Sequence, residues 1–136
     1  MAFLVETSVW SLAYRRDAEQ DAPEVAALRS ALRSRDAVLT TGIVLLELLR
    51  GFVPPRAQDV IRHDLGVLEH VEPTWSDYAD AAALSNTCRR HGVQLHSVDA
   101  LLAQLAIANS LTLLTTDRDF ARASAHIPLR VWTSSS

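Results

Sequence analysis

Lysine is absent from this sequence of 136 residues; all 13 basic residues are arginine. Arginine offers phosphate oxygens a planar fork that lysine lacks, although a skewed genome composition yields the same count. Cysteine occurs once, at Cys88. That excludes an internal disulfide framework and suits a reducing cytosol. Cys88 itself reads as a small buried filler on a helix. Glycine occurs four times, in neither a G-x-x-x-x-G-K-[ST] nor a G-x-G-x-x-G pattern, so no glycine loop cradles a nucleotide. No apolar run approaches the ~20 residues of a membrane span, and no membrane partner is expected. The N-terminal residues lack a basic stretch ahead of the first apolar run, so no signal peptide is read there and a cytoplasmic location is expected. The five histidines are scattered, and no Ser-His or Cys-His arrangement suggests a covalent nucleophile.

What is present is ordinary in bulk and patterned in detail. Hydrophobic residues make up 49% and charged residues 21%, which suits one globular domain spanning residues 1–136. The stretch Ala2-Phe3-Leu4-Val5-Glu6-Thr7-Ser8-Val9-Trp10 is an apolar run ending in a carboxylate and two hydroxyls. A second copy of that layout is Leu111-Thr112-Leu113-Leu114-Thr115-Thr116-Asp117-Arg118-Asp119-Phe120. Both runs read as buried strands, each delivering an acid at its carboxyl end.

Between them, strands and helices alternate. Thr7 or Ser8 is placed to cap a short helix through Tyr14, and Arg15 to Asp21 reads as a polar loop. Pro23 opens a helix to Arg35, Ala37–Leu39 is a short strand, and Thr40 or Thr41 caps a helix from Gly42 to Arg50, with Gly51 as its stop. A helix over 56–65, a third strand over 67–71 and a long helix from Thr74 to His91 follow. Thr74 and Asp77 approximate a capping box, and Gly92 closes that helix. Ser97 caps a last long helix to Asn109. After the Leu111–Thr115 strand come a short helix over 117–123 and a final strand, Leu129–Trp132. The alternation implies an α/β domain: a central parallel sheet of four to five short strands flanked by helices.

In such sheets ligands bind beyond the carboxyl ends of the strands. Glu6 and Asp117 sit just past two such ends, and Asp99 lies in the first turn of the helix feeding the second of them. Glu47 stands alone in a helix otherwise apolar on nearly every side, and a buried carboxylate requires a partner. Four carboxylates around one pocket repel unless a cation compensates, and all-oxygen ligation selects Mg²⁺ or Mn²⁺ over zinc. Such an ion activates water and steadies an in-line phosphodiester displacement. Each acid also has a simpler reading. Asp99 suits a helix N-terminus, Asp117 suits a helix cap, Glu47 suits an ion pair with Arg50, and Asp119 suits the first turn of a helix. Glu6 is the exception, a poor cap beside the Thr and Ser behind it. The formal charge of −3 does not exclude RNA: with four of the 16 acids held by metal, 12 remain against 13 arginines. Trp10, Trp75 and Trp132 read as core or interface aromatics, Arg15-Arg16 and Arg89-Arg90 as solvated faces, and His96 as a loop residue.

At this point the chain resembles a PIN domain, and more narrowly a VapC-type toxin of a type II toxin–antitoxin system. The resemblance runs through Leu4-Val5-Glu6-Thr7-Ser8-Val9-Trp10, Glu47-Leu48-Leu49-Arg50-Gly51, His96-Ser97-Val98-Asp99-Ala100-Leu101-Leu102-Ala103 and Leu114-Thr115-Thr116-Asp117-Arg118-Asp119-Phe120. It implies a PIN fold and a Mg²⁺- or Mn²⁺-dependent endoribonuclease acting on structured RNA such as tRNA or rRNA. It implies metal ligation by Glu6, Asp99 and Asp117, with Glu47 completing the catalytic quartet. Thr7, Thr116 and Asp119 would stand behind the ligands or toward the substrate. It also implies a homodimer and a VapB-like antitoxin that covers the site.

The chain departs from the family at position 6, where Asp is usual. One extra methylene moves the carboxylate by about 1 Å, a displacement that can cost about a hundredfold in rate. Either the nuclease is attenuated, or the site has adjusted to the longer side chain. Two rivals stand beside the toxin reading. One is a PIN-like module that binds RNA or protein without cutting. The other is a metal phosphatase or phosphotransferase, which calls for Asp-x-Asp after the first strand, where this chain has Glu6-Thr7-Ser8.

Overall fold

The computed structural model describes residues 1–15, 22–52 and 54–134. The polar loop expected over 15–21 falls almost wholly outside the described residues, as does the end of the C-terminal tail. The elements run β1 (Ala2–Val5), α1 (Thr7–Tyr14), α2 (Pro23–Arg33), β2 (Ala37–Thr40), α3 (Gly42–Gly51), α4 (Pro55–Gly66), β3 (Glu69–His70), α5 (Trp75–Arg90), α6 (Ser97–Ala108), β4 (Thr112–Leu114) and α7 (Arg118–Ala123). The sheet has the order β3-β2-β1-β4. Every pairing is parallel: Leu4 lies opposite Leu39 on one side and Leu113 on the other, and Leu39 lies opposite Glu69.

β1 and β4 are the central pair expected from their sequences. Leu4, Val5, Leu113 and Leu114 are fully buried, because helices cover both faces of the sheet and leave no side for polar alternation. The expected third strand shrinks to Glu69–His70 at an exposed edge. The expected strand Leu129–Trp132 is reduced to a parallel bridge between Leu113 and Val131. It runs beside β4, with Leu113 donating to Arg130 O and Trp132 donating to Leu113 O, but it is too short for a regular ladder.

Helix ends differ most from expectation. Glu6, not Thr7 or Ser8, occupies the cap position of α1, and His96, not Ser97, that of α6; neither side chain makes a capping hydrogen bond. Thr41 begins α3 without a side-chain cap bond. A distant carboxylate substitutes for it: Glu72 accepts from Gly42 N at 2.7 Å and from Thr41 Oγ1 at 3.2 Å. Gly51 remains inside α3 and Phe52 follows it as the cap, so the expected glycine stop is not used. The Thr74–Asp77 capping box forms in both directions, as expected.

α5 and α6 close with the same geometry. Val93 N donates to Cys88 O and Gly92 N to Arg89 O; Leu111 N donates to Ala106 O and Ser110 N to Ile107 O. This 6→1 and 5→2 pattern places one residue in the left-handed region. It is Gly92 at φ 78° in α5 and Ser110 at φ 55° in α6. Cys88 is buried and unpaired, as its sequence context predicts. Among the described residues no helix is long and apolar enough to cross a membrane.

Candidate metal centre

The parallel sheet puts the carboxyl ends of β1 and β4 side by side. Glu6 N donates to Leu114 O at 2.9 Å, extending the ladder one residue past β1. Glu6 is therefore fixed by the sheet itself, and it is 8% exposed. Asp117 follows β4 after a two-residue turn and caps α7, its Oδ1 accepting from Asp119 N at 2.9 Å. Asp99 is in the first turn of α6 and Glu47 lies midway along α3. Both are partly buried.

A web of hydroxyls organises these acids. Glu6 Oε1 accepts from Ser8 Oγ at 2.6 Å and from Thr115 Oγ1 at 2.5 Å. The same two oxygens accept backbone N–H groups from the opposite strand end: Thr116 N donates to Ser8 Oγ and Asp117 N to Thr115 Oγ1, each at 3.0 Å. The pair thus ties the Glu6 carboxylate to the turn that carries Asp117. Glu47 Oε1 accepts from Thr7 Oγ1 at 2.6 Å.

Asp99 reports the electrostatics. Its carboxyl is raised to about 6, first by burial, then by the charges of Asp117 and Glu6, with a smaller push from Glu47 and an opposing pull from His96. All four acids therefore share one field. None of them pairs with an arginine: the ion pairs among the described residues are Met1 with Asp36 and Arg122 with Asp119. The Glu47–Arg50 alternative does not form. The helix around Glu47 is also less buried than its composition suggests, since Leu46 is 52% exposed.

The carboxylates converge without closing. Among the described residues no three His, Cys, Asp or Glu side chains stand close enough to grip an ion as they are. Coulomb forces reach farther than coordination bonds, so both observations hold together. Like charges without a counterion favour separation, and here Glu6 and Glu47 rest on hydroxyls while Asp117 rests on an amide. The donor set still fits a hard divalent cation: all oxygen, a negative field that no arginine among the described residues neutralises, and acids at the carboxyl ends of the strands.

Of the residues expected behind the ligands, Thr7 holds Glu47. The Thr116 side chain is exposed and only its backbone N–H joins the web. Asp119 pairs with Arg122 at 2.9 Å and so serves its own helix. Ser8 and Thr115 hold Glu6 and the turn that carries Asp117. They carry a signal in the sequence, since Thr115 directly follows its apolar strand and Ser8 stands two residues past Glu6, but hydroxyls there read equally well as caps.

The PIN domain family profile matches residues 3–125, and the chain belongs to that family. Solved structures with the same fold include FitAcB from Neisseria gonorrhoeae, at 21% identity over 96% of both chains with a TM-score of 0.73. VapBC-1 from nontypeable Haemophilus influenzae aligns at 17% identity over 97% of both chains, TM-score 0.74. VapC20 from Mycobacterium tuberculosis, a Sarcin-Ricin loop cleaving toxin, aligns at 21% identity over 94% of this chain and 98% of that one, TM-score 0.69. No curated protein matches the chain by sequence.

Proposed function

We propose that this chain is the toxin of a type II toxin–antitoxin pair and a Mg²⁺- or Mn²⁺-dependent endoribonuclease. The observation that carries the reading is the gathering of Glu6, Glu47, Asp99 and Asp117 from four elements at the carboxyl ends of β1 and β4, with no arginine among the described residues paired to any of them. Burial and the neighbouring acids push the Asp99 carboxyl up to about 6 against the pull of His96. A site with that excess charge is matched to a divalent cation. Glu6, Asp99 and Asp117 would hold the ion, with Glu47 as a further ligand or as the base. A bound divalent cation supplies an acidified water and neutralises charge on the phosphodiester. The protein's share is positional: the sheet edge fixes Glu6 and Asp117, the hydroxyl web orients them, and Thr7 orients Glu47.

The substrate reading, structured RNA such as tRNA or rRNA, is supported by the fold shared with a toxin that cleaves the sarcin-ricin loop. A VapB-like antitoxin as partner is supported by the VapBC and FitAcB complexes that share the fold. It is also supported by a largely apolar cavity of about 360 Å³ lined by Trp10, Leu28, Leu32 and Leu68, with Arg29, His63 and Asp64 in its wall. A homodimer is part of the same reading. Wild-type protein is expected to cleave RNA in Mg²⁺, to stop in EDTA, and to lose at least a hundredfold in rate on Asp99→Asn with its circular dichroism unchanged. No Mg²⁺-dependent cleavage by the wild type, or cleavage that Asp99→Asn leaves untouched and that therefore belongs to a contaminant, would leave the non-cutting, RNA- or protein-binding PIN-like module as the better account.

A further inference from the structure

The bridge between Leu113 and Val131 places Trp132 and Thr133 at the carboxyl edge of the sheet, beside Thr115, Thr116 and Asp117. A cavity of about 420 Å³ opens there, lined by Thr116, Asp117, Arg118, Trp132, Thr133 and Glu24 among others. Its lining differs from that of the apolar cavities elsewhere. It combines one indole, one guanidinium, several hydroxyls and two carboxylates, Glu24 and Asp117, and it is continuous with the acid site through Asp117. Trp132 is half-buried, so its ring is anchored yet reachable. Arg118 is exposed and makes no ion pair or hydrogen bond among the described residues.

We propose that this cavity is a nucleotide subsite of single-stranded RNA, in which Trp132 stacks an unpaired base next to the cleaved phosphate and Arg118 holds the adjoining phosphate. The proposal rests on the ribonuclease reading and extends it to a specific contact. Three physical points favour it. Stacking on an indole is sequence-tolerant and is among the stronger contacts available to an unpaired base. An acidic metal site repels a polyanion, so a free guanidinium on its rim is where a flanking phosphate finds compensation. Glu24 lies in the same lining and repels phosphate, which orients the nucleotide. Its hydroxyl or amino groups face Glu24 and its phosphate faces Arg118. A duplex offers no free base and is a poor occupant.

The test is binding of a short fluorescent single-stranded oligoribonucleotide, followed by anisotropy in EDTA so that cleavage plays no part. Trp132→Ala is expected to weaken binding about tenfold, and Trp132→Phe to restore most of it. Arg118→Ala is expected to lower the salt slope by about 0.7, the release expected for one phosphate of a single strand. Trp75, 92% exposed at the start of α5 and outside the lining of this cavity, is the control; Trp75→Ala leaves affinity unchanged. Wild-type affinity in Trp132→Ala, or equal weakness in the Phe and Ala variants, overturns the subsite and leaves the cavity to a protein segment. Should Trp132→Ala not fold, an unaltered salt slope in Arg118→Ala overturns it instead. Cleavage intact with binding indifferent to Trp132 sinks the subsite alone. Binding that needs Trp132 without any Mg²⁺-dependent cleavage sinks the nuclease reading and supports the subsite.

Discussion

At the scale of single residues, Glu6 decides most. Its extra methylene would be a defect if the site were built for Asp. The hydroxyls of Ser8 and Thr115 meet at Glu6 Oε1 at 2.6 and 2.5 Å, so the longer side chain is met where it ends. A shorter carboxylate recedes from both donors. Glu6→Asp is therefore expected to weaken Mn²⁺ binding severalfold in calorimetry and not to raise cleavage; a faster enzyme would restore the attenuation account. Ser8→Ala is expected to weaken Mn²⁺ binding as well, since it frees both Glu6 and the Thr116 amide. Asp99 gives a prediction about pH. Its native carboxyl titrates near 6, above its ordinary 3.8, so the folded protein holds a proton that the unfolded chain has released. Metal-free stability attributable to Asp99 is full below about pH 4 and lost as pH rises through about 6. Asp99→Asn is expected to stabilise the metal-free protein at pH 8 by about 1 kcal/mol after solvent screening. That corresponds to roughly 4 °C in a melting experiment, while the same variant loses activity.

At the scale of elements, caps and turns set where the acids stand. The two long helices end in the same motif, with Gly92 in one and Ser110 in the other. A side chain in the left-handed region costs about 1–2 kcal/mol, against roughly 0.5–1 kcal/mol of extra unfolded-chain freedom for glycine. Ser110→Gly is expected to raise stability by about 0.5 kcal/mol in urea unfolding, with the slope of the transition unchanged. The start of α3 is held by Glu72, thirty residues away in the chain. Glu47 thus inherits its place from a residue outside its own helix.

At the scale of the molecule, four elements contribute one acid each, so the site exists only in the folded sheet. Any cation it binds must stabilise the fold by mass action. At a hundred times its dissociation constant, Mg²⁺ or Mn²⁺ is expected to add about 2.7 kcal/mol. The melting temperature should rise with metal in the wild type, fall back in EDTA, and respond weakly in Asp99→Asn. Metal binding must also release the Asp99 proton below about pH 6, so the rise in melting temperature should shrink as pH falls through that value.

The sequence by itself determined the alternation of strands and helices, the central pair β1 and β4, and which four acids lie at strand ends or inside an apolar helix. These depend on local periodicity and on apolar runs that only a doubly covered sheet buries. The Thr74–Asp77 box and Gly92 were equally legible, because capping contacts span three or four residues. Only the tertiary structure decided which hydroxyl serves which carboxylate, that Glu72 caps α3, and that the last strand shrinks to a bridge at Val131. Local sequence sees a hydroxyl beside a helix start as a cap. When Ser8 instead faces a buried acid across from Thr115, the charged hydrogen bond to Glu6 outweighs the cap, and that competition is settled by which strand lies next to β1.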